Sequence, residues 1–169
     1  MILVSTGTID KPFSRLTEAC LDIFNEKNIN ERVIIQTRFF SSGVRLPNNL
    51  IIKKIIPHQE MISIYKKANL IISAAGQGSA IDILRNSKYK PIFFPRLKQY
   101  REHVNNQQLQ IARKMSEQGY AFTATNRNEL SALLNYKKQS LLSPFDQNNS
   151  LKKLTNNLIK NTNSLINKV

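Results

Sequence analysis

Short runs of Ile, Val, Leu and Phe alternate along this chain with longer stretches whose apolar residues recur every three to four positions. The short runs are Met1–Ser5, Arg32–Thr37, Leu50–Ile56, Leu70–Ser73, Pro91–Phe94 and Tyr120–Thr123. They are nearly continuous in apolar residues, as strands covered on both faces must be. The longer stretches, Phe13–Lys27, His58–Lys67, Ser79–Asn86, Val104–Gln118 and Asn126–Tyr136, carry the helical period. Pro12 suits a helix start, and Gly119 suits the residue just past a helix end. In Val104–Gln118 the apolar positions are Val104, Leu109, Ile111, Ala112 and Met115. Strand and helix alternating through most of the length predict an α/β protein with a doubly wound, mostly parallel sheet. Ligands of such sheets bind beyond the carboxyl ends of the strands. The loops Thr6–Lys11, Pro57–His58, Ala74–Gly78 and Pro95–His103 all fall there.

The pattern breaks near residue 139. Ser140–Ser150 is polar and contains Pro144. A last amphipathic helix is predicted over Leu151–Val169, with Leu151, Leu154, Leu158, Leu165 and Val169 near one face. It could pack on its own domain, on a partner or on a membrane surface. The organisation read here is therefore a domain over 1–138 and a C-terminal extension over 139–169.

Composition narrows the class. The 169 residues are 41% hydrophobic and 21% charged, which suits one globular domain with a sizeable core. No apolar run approaches the roughly 20 residues that span a bilayer. Met1–Ser5 reads as a strand and not as a signal peptide. The one cysteine, Cys20, falls on the apolar side of a helix with Leu16, Ile23 and Phe24. A buried thiol and a cytoplasmic setting are expected. Lys and Arg number 25 against 11 acidic residues, a formal charge of +14. Such a field draws nucleic acid, anionic lipid or phosphorylated small molecules. A bias toward Asn, Lys and Ile from base composition alone would give the same excess.

Candidate chemistry centres on Ser73-Ala74-Ala75-Gly76-Gln77-Gly78-Ser79-Ala80-Ile81-Asp82. A buried strand runs into a glycine turn and then a helix. Glycines let backbone N–H groups approach a ligand, and a helix N-terminus adds free donors and partial positive charge. The turn can hold a diphosphate, and Asp82, one turn into the helix, can accept from a ribose hydroxyl. The same turn also occurs for packing alone.

Two further segments accompany it in order. Ser5-Thr6-Gly7-Thr8 leads to Pro12-Phe13-Ser14-Arg15-Leu16. Pro95-Arg96-Leu97-Lys98-Gln99-Tyr100-Arg101-Glu102-His103-Val104-Asn105-Asn106-Gln107-Gln108-Leu109 follows the fifth strand. Over roughly residues 1–135 this set resembles the C-terminal domain of family 28 glycosyltransferases. It is most similar to the stand-alone version, of the kind found as the small subunit of the two-subunit GlcNAc transferase acting on dolichol diphosphate and in bacterial capsule and exopolysaccharide synthesis.

The resemblance implies a Rossmann-like half of a GT-B fold that binds a nucleotide sugar, usually UDP-linked. Thr6, Gly7 and Thr8 would form the first diphosphate-facing loop. Gly76, Gln77, Gly78 and Ser79 would hold the diphosphate, with Asp82 in place of the family's ribose-binding Glu. Gln107 and Gln108 would reach the donor sugar's hydroxyls. Arg96, Tyr100, Glu102 and His103 would lie on a loop closing over the pyrophosphate and sugar. Three departures stand out. Ala74 occupies a position where relatives often have His, Asn105-Asn106-Gln107-Gln108 stands where many have Asp-Asp-His-Gln, and Asp82 is one methylene shorter than Glu.

The implied reaction inverts the anomeric carbon and expels UDP. Oriented N–H dipoles and Arg96 would meet the charge growing on the leaving diphosphate. No Asp-x-Asp metal motif is present, so UDP-sugar is expected as substrate with no metal or other cofactor. A general base is also needed. His103 beside Glu102 is the candidate pair, and His58 either joins the chemistry or caps a helix. The base could instead come from a membrane-anchored partner subunit carrying the site for a lipid-diphosphate-linked glycan. The lysine pairs Lys53-Lys54, Lys66-Lys67 and Lys137-Lys138 suit solvent or an anionic membrane surface. Phe39, Phe40, Phe93 and Phe94 are read as core. Two alternatives stay open: a non-catalytic subunit that stabilises a partner transferase, and a basic nucleic-acid-binding module. The latter rests on charge alone, with no stacking motif or recognition helix.

Overall fold

The computed structural model describes residues 1–40 and 46–140, with side chains through 135. The predicted polar break over 140–150 falls almost wholly outside the described residues, and so does the C-terminal helix. Six strands form one sheet: β1 (Ile2–Ser5), β2 (Val33–Gln36), β3 (Leu50–Lys53), β4 (Leu70–Ser73), β5 (Ile92–Phe93) and β6 (Phe122–Thr123). Five helices connect or follow them: α1 (Ser14–Glu26), α2 (His58–Lys67), α3 (Gln77–Asn86), α4 (Gln107–Glu117) and α5 (Arg127–Ser140). Every pairing is parallel, in the order β3-β2-β1-β4-β5-β6. The order reverses between β1 and β4, and that switch point opens a crevice at the carboxyl edge.

Successive strand residues feed opposite layers. Ile2, Val4, Val33, Ile35, Ile72 and Ile92 pack with Leu16, Cys20, Ile23 and Phe24 of α1 and Leu130 of α5. Leu3, Ile34, Ile71 and Phe93 pack with Ile64, Ala80, Ile83, Ala112 and Met115 of α2, α3 and α4. Cys20 is buried and unpaired, and Phe93 and Phe94 are fully buried, whereas Phe39, also expected in the core, is exposed and Phe40 only half-buried.

Caps explain most of the boundaries. Gly119, at φ 75°, ends α4 while its N–H bonds Ser116 O and that of Tyr120 bonds Met115 O. Asn28, at φ 48°, does the same for α1 through Asn25 O and Phe24 O. Two expected boundaries move. Helix α3 starts at Gln77, two residues before Ser79, because Gly76 takes the cap position and its carbonyl accepts from Ala80. Helix α4 starts at Gln107 rather than Val104. Between β5 and α4 the chain holds a 3-10 turn at Lys98–Tyr100 and a left-handed Arg101, and Asn105 Oδ1 accepts from Gln107 N. Val104 is consequently 71% exposed and no part of the helix's apolar side.

Candidate functional site

The carboxyl ends of β1, β2 and β4 surround a crevice of about 330 Å³. Gly7 and Thr8 line it from the β1 loop, and Gly78, Ser79 and Asp82 from the start of α3. His58, Met61 and Tyr65 of α2 face them, with Gln36, Arg38, Ile55 and Ile56 completing the wall.

The α3 end is built to present donors. Its first turn holds Gln77, Gly78 and Ser79 and has no acidic residue to neutralise the helix dipole. Ser79 Oγ donates back to Gly76 O at 3.2 Å. A Cβ on Gly76 would sit 3.1 Å from that hydroxyl oxygen, whereas one on Gly78 would meet nothing within 4 Å. Gly78 thus leaves open crevice above backbone N–H groups.

The β1 loop turns through Gly7 at φ 77°. Thr6 is buried, and its hydroxyl and N–H both donate to Gln36 O. Its side chain is directed at the neighbouring strand, so Gly7 and Thr8 are the parts of this loop that reach the crevice. Across the crevice His58 Nδ1 lies 3.8 Å from Asp82 Oδ2. His58 therefore faces Asp82, and the α2 cap position, Pro57, receives no side-chain hydrogen bond. Burial, seconded by the Asp82 charge, pushes the Tyr65 phenol up to about 12.

The loop after β5 forms a second centre beside the crevice. Glu102 is buried and accepts from Arg15 Nε at 2.9 Å, Arg15 Nη2 at 2.7 Å and Leu97 N at 2.9 Å. Arg15 also donates to the carbonyls of Pro95 and Thr125. Its guanidinium lies 4.5 Å from the Phe94 ring centre and 4.9 Å from that of Tyr100. Arg96, 1% exposed, reaches inward to Thr6 O at 3.1 Å and Pro12 O at 3.0 Å, over the Phe13 ring. Its Nε is buried without a hydrogen-bond partner. Burial lowers the Arg96 guanidinium to about 10, Glu102 opposing and Arg15 adding to the fall. Gln108 is buried and accepts from Arg96 N at 3.0 Å.

Of the residues singled out in the sequence, Gly7, Thr8, Gly78, Ser79 and Asp82 converge on one crevice, while Gly76 and Gln77 belong to the same α3 turn without lining it. Arg96, Glu102 and Gln108 sit together in a buried network, engaged with protein atoms. Tyr100 is 54% exposed on the outside of that loop, and Gln107 begins α4. His103 Nδ1 accepts from Asn105 N at 3.2 Å. Gln36, Arg38, Met61 and Tyr65 were not anticipated. The visible signal for Gln36 was a lone amide closing the apolar strand Val-Ile-Ile-Gln.

A parallel sheet in this order, with a crevice of about 330 Å³ at its switch point, defines a doubly wound, Rossmann-like α/β domain. Residues 1–162 match the family model of the glycosyltransferase family 28 C-terminal domain, so the chain belongs to that family and is a glycosyltransferase domain of Rossmann-like, GT-B type. No curated protein sequence matches it significantly. Solved structures do. The glycotransferase of kitacinnamycin superposes with TM-score 0.62 at 16% identity, over 82% of this chain and 34% of that one. MurG of Acinetobacter baumannii gives 0.59 at 18% identity, over 82% and 41%. The solution structure of ALG13 gives 0.58 at 23% identity, over 86% and 88%. The chain thus spans about a third of the first, two fifths of the second and most of the third. Among the described residues no helix is long and apolar enough to cross a membrane.

Proposed function

We propose that this chain is the donor-binding subunit of an inverting, two-subunit glycosyltransferase. It would move a sugar from a UDP-sugar to a polyprenyl-diphosphate-linked acceptor in capsule or exopolysaccharide synthesis. One observation carries the reading: the crevice in which the Gly7–Thr8 turn, the open first turn of α3 and the Asp82 carboxylate meet. The turns suit a diphosphate, and Asp82 suits a ribose hydroxyl. Backbone N–H groups then stabilise the leaving UDP without a metal.

Both carboxylate oxygens of Glu102 are engaged by protein donors, Arg15 and the Leu97 N–H. That supports His103 or the partner as the source of the general base. The partner would also anchor the complex to the cytoplasmic face of a membrane. The exposed lysines Lys66 and Lys67 at the end of α2 suit its anionic lipid.

Calorimetric titration with UDP tests the reading. Wild type should bind, and Asp82→Ala should bind more weakly. No heat with wild type overturns it. The engagement of Glu102 also favours a second reading, a non-catalytic subunit stabilising a partner transferase. A partner that reaches full activity alone, with no gain on adding this chain, would remove that one.

A further inference from the structure

Gln36 is the best-connected side chain at the crevice, and nothing in its position on an apolar strand requires an amide there. It is 5% exposed at the carboxyl end of β2, between β1 and β3. Its Oε1 accepts from Ser5 Oγ at 2.8 Å. Its Nε2 donates to Gly7 O at 3.4 Å and to Lys54 O at 3.2 Å. Ser5 Oγ in turn accepts from Gly7 N at 3.3 Å. The backbone of Gln36 holds Thr6 through two further bonds to its carbonyl. Gly7, in a left-handed conformation, is therefore fixed at both its N–H and its C=O by one amide and the serine it orients.

We propose that Gln36 is a positioning residue for ligand binding: through Ser5 it sets the Gly7–Thr8 turn at the height from which that turn meets a nucleoside diphosphate. The role rests on the donor-binding reading above. An amide is the group required. Its oxygen must accept from Ser5 while its nitrogen donates to two carbonyls, and no other side chain of that length does both at neutral pH. Without the donor, Gly7 O and Lys54 O lose their shared partner, and the turn is held only by the Gly7 N–H bond to Ser5 and the two bonds of Thr6.

Gln36→Glu tests this in the full chain, with UDP as probe. The variant keeps shape and the acceptor for Ser5 but places a carboxylate oxygen against two carbonyls. Buried there, the Q36E carboxyl has a raised pKa, and protonation returns one donor. At about pH 8 the UDP dissociation constant of Q36E should exceed that of wild type by roughly tenfold or more. At about pH 5.5 the ratio should fall toward one. Arg38, His58, Tyr65 and Asp82 line the same crevice and are common to both proteins, as is the titration of UDP itself, so the ratio isolates position 36. Ser5→Ala, a smaller change, should weaken UDP severalfold at both pH values with little change in melting temperature. It decides the matter if Q36E fails to fold. A ratio near one at pH 8, a deficit in Q36E that ignores pH, or an S5A variant that binds like wild type each overturns the proposal. Absence of UDP binding by wild type overturns the donor-binding reading instead.

Discussion

Arg15 and Glu102, 87 positions apart, meet in a two-pronged ion pair, Nε at 2.9 Å and Nη2 at 2.7 Å from the two carboxylate oxygens. The pair joins the start of α1 to the loop after β5. The Glu102 side chain is 8% exposed and that of Arg15 19%. Removing one partner strands the other charge in a poorly solvated place. Arg15→Ala should therefore lower unfolding free energy by about 3 kcal/mol in urea titrations. His103→Ala, on the same loop but hydrogen-bonded only locally, should change it little.

Gly78 and Gly7 should separate binding from folding. Space above Gly78 is open and the residue is helical, so Gly78→Ala should leave melting temperature unchanged or slightly raised. Its methyl would project toward the crevice and weaken UDP by roughly tenfold. Gly7→Ala places a side chain at φ 77° and should instead lose about 1 kcal/mol of stability as well as affinity. Melting curves and calorimetry on the same samples distinguish the two.

Glu129 makes the fold sensitive to acid. The Thr125 N–H, at 2.7 Å, holds its carboxyl below the ordinary value against the opposing effect of burial, helped by the Thr125 hydroxyl and the Asn126 amide. A carboxyl whose folded pKa is depressed stabilises above its unfolded pKa and loses that contribution as pH falls through the folded one. Melting temperature should drop as pH falls below about 4.5. Glu129→Gln should be slightly less stable at neutral pH and show a shallower fall on the acid side.

Cys20 is fully buried, and burial pushes its thiol well above the ordinary range. The thiolate is the reactive form. Native protein should resist a thiol-reactive dye at pH 8, and one equivalent should react after denaturation. Fast labelling of folded protein would contradict the α1 packing described here.

Much of the fold was legible because the strands are short, apolar and punctuated. The helix His58–Lys67 falls where its period placed it, and Gly119 caps α4 as expected. The start of α4 was not legible. Val104 fits an apolar helical position in sequence, but the helix starts three residues later at Gln107, whose N–H the Asn105 amide oxygen accepts, and Val104 is left in solvent. Local chemistry likewise made the Gly7 and Gly76 turns readable, since glycine spacing and a following helix lie within a few residues of each other. The burial of Arg96 and Glu102 was not readable. Arg96 finds Thr6 from 90 positions away, and only the folded sheet brings them together. Gln36 was hidden for the same reason, its partners lying at or just past the ends of the two neighbouring strands.

Two guanidiniums bolt the segment Pro95–Gln108 to the body of the domain, Arg15 from one side and Arg96 from within. A segment so fastened arrives at any second molecule already in shape. Little freedom remains to be surrendered there on docking, so the encounter is one of preformed surfaces. Its speed would then follow ionic strength, through the long-range attraction exerted by a chain of charge +14, more than any slow rearrangement on this side.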